Sequence, residues 1–232
     1  MLPISGEGVQ IGIPIMGDMG DEIFYSFLSL KKPIGSKLTK VKYGATDKAK
    51  NKIISLMEKE WLFFMDSDQT FHPESLERLL SWNLPIVSGL YFSSAGKPIP
   101  HCYERVKKKG LYMAKTKEVH DYLVAHKDKF TTGNPIEILP AEQSDLIECD
   151  GVGAGCLLVH RSVFEKVKPP YFKLLNYVGE DFYFCRKVQE AGFKIFTDPG
   201  VLCGHKHREL IGYRHFLSWI TTPDEGEFPY PY

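Results

Sequence analysis

The run Trp61-Leu62-Phe63-Phe64-Met65, followed at once by Asp66-Ser67-Asp68, constrains this chain more than any other feature. Five apolar residues without alternation do not suit a strand with one wet face. They specify a strand covered on both faces, inside a sheet with layers above and below. The same run is far shorter than the roughly 20 apolar residues that cross a bilayer. The acidic triplet then ends the strand, because two carboxylates require water or a cation.

The flanking segments extend the pattern. Val9 to Ile15 reads as a first strand, and Asp21 is positioned to cap a helix through about Leu30. Val41 to Tyr43 reads as a short second strand. Thr46 or Asp47 can cap a helix over Lys48 to Lys59, whose Ile53, Ile54 and Met57 follow the i, i+3, i+4 rule. Pro73 starts a helix with Leu76, Leu79 and Leu80 on one face, and Pro85 to Gly89 is another buried strand. Strand and helix thus alternate over the first 90 residues, which implies an α/β fold with a doubly wound, largely parallel sheet. Ligands of such sheets collect at the carboxyl ends of the strands, where Asp66 and Asp68 fall.

Residues 91 to 145 break the alternation. They are rich in Gly, Pro, Lys and Tyr, and read as an irregular insertion with a few antiparallel strands. Between His101 and Lys129 there are eight Lys or Arg against four Asp or Glu. That excess, densest at Lys107 to Lys109, reads either as a solvated surface or as a patch facing an anionic acceptor. Beyond it, Asp150 to Gly155 leads into an apolar strand, Cys156 to Val159. Helices are expected over Arg161 to Val167 and over Glu180 to Ala191, the latter stopped by Gly192. Phe193 to Thr197 reads as a strand broken by Asp198-Pro199-Gly200. One further helix is expected over Glu209 to Ile220, in a tail that ends in Pro229 and Pro231.

Composition narrows the function classes. Lys plus Arg and Asp plus Glu are 29 each, so the net charge is zero and argues against non-specific nucleic-acid binding by the whole chain. A length of 232 residues suits one domain with a decorated insertion, and 43% hydrophobic residues exclude wholesale disorder. The N-terminus lacks a basic stretch followed by an apolar one, so no signal peptide is expected. Five cysteines without a CxxC pair make a disulfide framework or zinc ribbon a poor fit and a reducing cytoplasm the default.

Three constellations can carry chemistry. Asp66 and Asp68, one residue apart at a strand end, can both reach one hard cation such as Mg2+ or Mn2+. Glu180 and Asp181 open a helix, where they either satisfy its dipole or present a general base. His205-Lys206-His207 offers an imidazole to complete a metal shell begun by Asp68, and Lys206 and Arg208 offer positive charge to a diphosphate. Gly151-Val152-Gly153-Ala154-Gly155 is not a dinucleotide fingerprint: its third glycine is misplaced and a strand follows. It reads instead as a place of close approach.

In this order the pieces resemble a GT-A glycosyltransferase, near the family-2-like nucleotide-diphospho-sugar transferases. The matching stretches are IGIPIMGD, ATDKAKNKIISLMEKEWLFFMDSDQTFHPESLERLL, DGVGAGCLLVHRSVFEKV and VGEDFYFCRKVQEAGFKIFTDPGVLCGHKH, over roughly residues 9 to 92 and 148 to 207. The resemblance implies a single GT-A catalytic domain with a Rossmann-like, mostly parallel sheet and helices on both faces. Residues 93 to 147 would form an acceptor-side insertion, and residues 208 to 232 a C-terminal tail. It implies Mn2+ or Mg2+ as cofactor, held by Asp66, Asp68 and His205, with His207 the second choice. Donor-nucleotide contacts would come from Pro14, Ile15, Asp18, Asp66 and Ser67. Lys50 and Asn51 stand where relatives often have Arg-Asn, also on the nucleotide side. Gly153, Ala154 and Gly155 would floor the donor and acceptor cleft. Asp181 resembles the base of inverting members, supported by Glu180. The implied partner is a nucleotide-diphospho-sugar, a UDP-sugar first, with the acceptor open among glycan, lipid-linked glycan, protein and modified DNA base. A sugar-phosphate nucleotidyltransferase is a second reading, opposed by the acidic IMGDMGDE after the first strand. A non-catalytic carbohydrate- or nucleic-acid-binding module is a third.

Overall fold

The structure is a computed structural model that describes residues 8–15, 17, 19–93, 97–106, 111–126, 145–175, 179–206, 210–211 and 216. The elements in chain order are β1 (Val9–Ile15), α1 (Asp21–Ser29), β2 (Lys37–Lys42), α2 (Thr46–Ser55), β3 (Trp61–Met65), β4 (Gln69–Thr70), α3 (Ser75–Ser81), β5 (Ile86–Leu90), β6 (Cys102–Val106), β7 (Leu111–Ala114) and α4 (Thr116–Ala125). They continue with β8 (Ile147–Cys149), β9 (Gly151–Val152), β10 (Cys156–His160), α5 (Arg161–Lys166), α6 (Glu180–Glu190), β11 (Ile195–Leu202), β12 (Gly204–Lys206) and β13 (Leu210–Ile211).

A seven-stranded sheet of order β2-β1-β3-β10-β5-β11-β8 forms the centre. Parallel pairing joins β1 to β2 and β3, and β5 to β11. The strands β10 and β8 run the other way. The sheet is therefore mixed but mostly parallel. All five residues of β3 are buried, as its sequence requires, and they divide between two cores. Leu62 and Phe64 join Ile53, Val119, Val163 and Val188 from α2, α4, α5 and α6 on one face. Trp61, Phe63 and Met65 join Ile23, Leu76 and Leu79 from α1 and α3 on the other. All five cysteines are free and buried. Among the described residues, no helix is long and apolar enough to cross a membrane.

Two three-stranded sheets flank the main one. The first, β13-β12-β4, ties the segment after Asp68 to the histidine strand. The second, β7-β6-β9, ties the insertion to Gly151 and Val152. The chain then crosses to the main sheet through residues 153 to 155, so the glycine-rich segment is a passage between sheets.

Several expectations are corrected. β2 begins at Lys37, because alternation on an edge strand buries Thr39 and Val41 and leaves the lysines out. The helix caps are Gly20 and Ala45, without side-chain cap bonds, and α2 ends at Ser55. The insertion contains a helix, α4, that buries Val119 and Leu123. β11 is not broken at Asp198 but runs on to Leu202, with a register shift that absorbs Pro199. Leu210–Ile211 is a strand paired with β12 rather than helix; Phe216 is buried against Phe92, and the rest of residues 209 to 220 lies outside the described residues. The cluster at Lys107 to Lys109 also lies outside them.

Asp198 explains why the irregular strand holds. It is fully buried and accepts hydrogen bonds from Arg78 Nε at 2.6 Å, Trp82 Nε1 at 2.7 Å and the Gly200 N–H at 2.9 Å. Asp198→Ala removes the acceptor shared by all three while leaving the Arg78 charge in place. Urea unfolding should show a loss of about 3 kcal/mol or more; a loss under about 1 kcal/mol would mean that Asp198 does not organise this strand.

Candidate functional site

The strand ends converge as an α/β sheet dictates. The register pairs Cys156 with Met65, so the start of β10 meets the end of β3. The Asp66 N–H donates to the Gly155 carbonyl at 3.0 Å. Tyr91, one residue past β5, accepts from the Gly155 N–H through its hydroxyl at 3.3 Å. Neither Gly153 nor Gly155 has room for a side chain. A Cβ at Gly153 would fall 1.7 Å from the Tyr91 hydroxyl, and one at Gly155 would fall 2.1 Å from Gln69 Nε2 and 2.9 Å from Asp66 Oδ2.

One end of this crossing is a carboxylate-imidazole pair. The Lys206 N–H donates to the Asp68 carbonyl at 2.7 Å, and His205 pairs with Gln69, so the acidic turn is laced to β12. His205 Nδ1 lies 2.8 Å from the Phe92 carbonyl, which can only accept, so Nδ1 carries a proton. In the neutral ring Nε2 then holds the lone pair, and it faces Asp68 Oδ2 at 3.5 Å. Burial would lower the His205 pKa, but the hydrogen bond and charge of Asp68 outweigh it and raise it. The pair therefore either holds a cation between its two donors or charges the imidazole and pairs with itself. Burial pushes Asp66 up to about 6, against the attraction of Lys50 and with repulsion from Asp181, Asp68 and Glu180. Among the described residues, no three His, Cys, Asp or Glu side chains converge as a complete metal cage. The donor set still fits a hard divalent cation, which commonly takes one or two protein ligands and completes its shell from phosphates and water.

The other end is a buried ion cluster. Lys50 comes from α2 and is only 1% exposed. Its Nζ lies 2.6 Å from Asp181 Oδ1 and 3.1 Å from Glu180 Oε1, with the Phe172 ring 5.3 Å away. The second Asp181 oxygen accepts from the Ala154 N–H at 3.1 Å. Burial disfavours the Lys50 charge, but Asp181, Asp66 and Glu180 more than offset it and keep the amine protonated. The two carboxylates are driven apart. Burial and Glu180 raise Asp181 despite Lys50, whereas Glu180 is held low by Lys50 and a hydrogen bond from Thr46 in spite of its burial.

The structure thus brings together Asp66, Asp68, His205, Gly153, Ala154, Gly155, Glu180 and Asp181. Ser67 stands in the turn between the two aspartates. Lys50, expected on the nucleotide side, lies instead under the Glu180-Asp181 pair. Asn51, expected beside it there, clamps the chain ahead of α6: its Oδ1 accepts from the Tyr171 and Phe172 N–H groups, and its Nδ2 donates to the Phe172 and Asp47 carbonyls. Pro14 is buried in β1 opposite Val41. Ile15 lines a cavity of about 330 Å³ with Ile13, Phe27, Lys40 and Lys42, beside the edge strand rather than between Asp68 and Asp181. Asp18 and His207 lie outside the described residues. Sequence reasoning missed Tyr91, although its place just past a buried strand repeats that of Asp66. It also missed His101, which the insertion delivers without any local signal.

No protein-family model matches the chain, and no curated protein sequence matches it. Solved structures do. A197 from STIV is similar with a TM-score of 0.54 at 16% identity, over 88% of this chain and 93% of its own. GalNAc-T7, crystallised with UDP, GalNAc and Mn2+, is similar with a TM-score of 0.60 at 10% identity, over 89% of this chain. This chain covers 45% of that one, less than half its length. At these identities the likeness is one of fold, and the α/β fold is that seen in a GT-A glycosyltransferase.

The ion cluster makes a testable demand on stability. Lys50→Met leaves buried carboxylates without their cation and should cost about 3–5 kcal/mol at neutral pH. Without Lys50 the folded-state pKa of Asp181 rises further above its unfolded value, so the folded form binds more protons than the unfolded one. Stability of the variant should therefore fall as pH rises between about 4 and 7, relative to wild type. Denaturant titrations across that range check both the size and the sign; a pH-independent difference would remove the electrostatic explanation.

Proposed function

We propose that this protein is a metal-dependent glycosyltransferase that moves a sugar from a nucleotide-diphospho-sugar, a UDP-sugar first, to an acceptor hydroxyl. The observation that carries the reading is the placement of a cation-compatible Asp68-His205 pair and a raised-pKa carboxylate, Asp181, at opposite ends of one glycine-lined crossing. The fold shared with a transferase whose structure holds UDP and Mn2+ supports it.

Asp68 and His205 would hold the cation, with Asp66 beside them. A divalent cation bound there supplies charge neutralisation for a leaving diphosphate. Gly153 and Gly155 let Tyr91 and Gln69 close on the crossing that joins the two ends. Asp181 serves as general base: the acceptor oxygen bonds to the anomeric carbon, the bond from that carbon to the diphosphate oxygen breaks, and the acceptor proton passes to Asp181. Its raised pKa suits proton acceptance, while Glu180 stays charged and shares Lys50 with it. A base and a leaving group on opposite sides of the sugar correspond to inversion. Residues 93 to 147 form the acceptor side of one catalytic domain in this reading.

Calorimetry of UDP and GDP with Mn2+ and with EDTA tests the donor half. Metal-dependent binding to wild type, lost in Asp68→Ala, is expected; binding that ignores EDTA and the substitution would overturn the metal assignment. Asp181→Asn should keep donor binding and slow transfer or donor hydrolysis by roughly a hundredfold or more. Unchanged turnover in that variant would exclude Asp181 as the base.

A further inference from the structure

The region between the two ends holds one imidazole to which no role has been assigned. His101 precedes β6. Its N–H donates to the Tyr91 carbonyl at 2.9 Å, and the next two residues pair with Val152 and Gly151. The backbone is therefore fixed from two sides, and the ring follows. It stacks on Tyr91, with centroids 4.3 Å apart and planes 21° from parallel. The His205 ring lies 6.2 Å away on one side, nearly perpendicular. On the other side, Nδ1 lies 2.8 Å from the point where a Gly153 side chain would begin. Gly153 adjoins Ala154, whose N–H is bound to Asp181.

His101 thus stands between the Asp68-His205 end and the Ala154-Asp181 end. A group transferred away from a diphosphate at the first end, and attacked by an acceptor at the second, occupies the ground between them. The chemistry of this position suits that group. An imidazole side chain can exchange a hydrogen bond with a hydroxyl as donor or acceptor, which matches a sugar hydroxyl. The diphosphate calls instead for cationic partners. The residue is half-buried, and Tyr91 supports the face of its ring and holds it in place. The absence of a side chain at Gly153 is what permits this stack to approach the crossing.

Resting on the transferase reading above, we propose that His101 forms a subsite for the transferred sugar, hydrogen-bonding one of its hydroxyls and setting which epimer is accepted. The test compares wild type, His101→Phe and His101→Gln by calorimetry with Mn2+. The probes are UDP, UDP-glucose, UDP-galactose, UDP-N-acetylglucosamine and UDP-N-acetylgalactosamine. His101→Phe keeps a ring against Tyr91 and removes the hydrogen bond; His101→Gln keeps a hydrogen-bonding group. Wild type should prefer one UDP-sugar, and His101→Phe should shrink that preference by about tenfold while leaving UDP affinity unchanged. His101→Gln should restore part of it. An undiminished preference in His101→Phe, an equal loss of UDP and UDP-sugar affinity, or no preference in wild type overturns the subsite and leaves the transferase reading standing. A wild type that binds none of the probes in the presence of metal overturns that reading, and the subsite with it.

Discussion

A single ammonium group, that of Lys50, sits among the negative charges of Asp181, Glu180 and Asp66 in a space with little water. Like charges at such separations repel strongly where the dielectric is low, and an unpaired lysine there would lose its proton. Neither side of the cluster is stable without the other. The site inherits its geometry from this balance, since Lys50 holds Asp181 by one oxygen while Ala154 holds it by the other. Excess negative charge near Asp66 and Asp68 remains, and it is that excess which gives a divalent cation a reason to enter.

The rest of the fold brings this cluster to the acidic turn. Helix α2 supplies Lys50 to the carboxylates. One residue later it supplies Asn51, which fixes the chain that leads into α6, and Asp47 adds a bond to the Leu174 N–H. The crossing at residues 153 to 155 then joins the insertion's small sheet to the main sheet. Its two glycines admit Tyr91 and Gln69 from neighbouring strands. Gln69 is fully buried and neither of its amide atoms has a hydrogen-bond partner among the described residues, beside a carboxylate whose pKa is already raised. The acidic turn is thus a place where polar groups accumulate faster than the protein satisfies them.

The sequence revealed what depends on short-range pattern. The β3 run, the helices over α2 and α3, and the acidic turn all follow from local periodicity and composition, and the structure places them close to where they were expected. The failures have physical causes of a different kind. Lysines on an edge strand mask the alternation that defines β2. The helix α4 buries only Val119 and Leu123, too few to stand out among its charges. The strand β11 survives an Asp-Pro-Gly interruption because a distant arginine and tryptophan hold Asp198, and no window of sequence contains all three. The burial of Lys50 beneath two carboxylates is hidden from a local reading for the same reason, its partners being 130 and 131 positions away.

The reversed strand β10 has a consequence for how this chain reaches its native state. It lies between β3 and β5 and pairs with both, yet it is made long after them. Until residues 156 to 160 emerge during synthesis, β3 has one edge with no partner and β5 has neither of its two, since β11 comes later still. Non-local closure of this kind is slow, and unpaired apolar edges associate with whatever strand is nearby. The amino-terminal alternation of strands and helices is therefore not a folding unit on its own. Its solubility before completion rests on how quickly one late strand can be threaded into the middle.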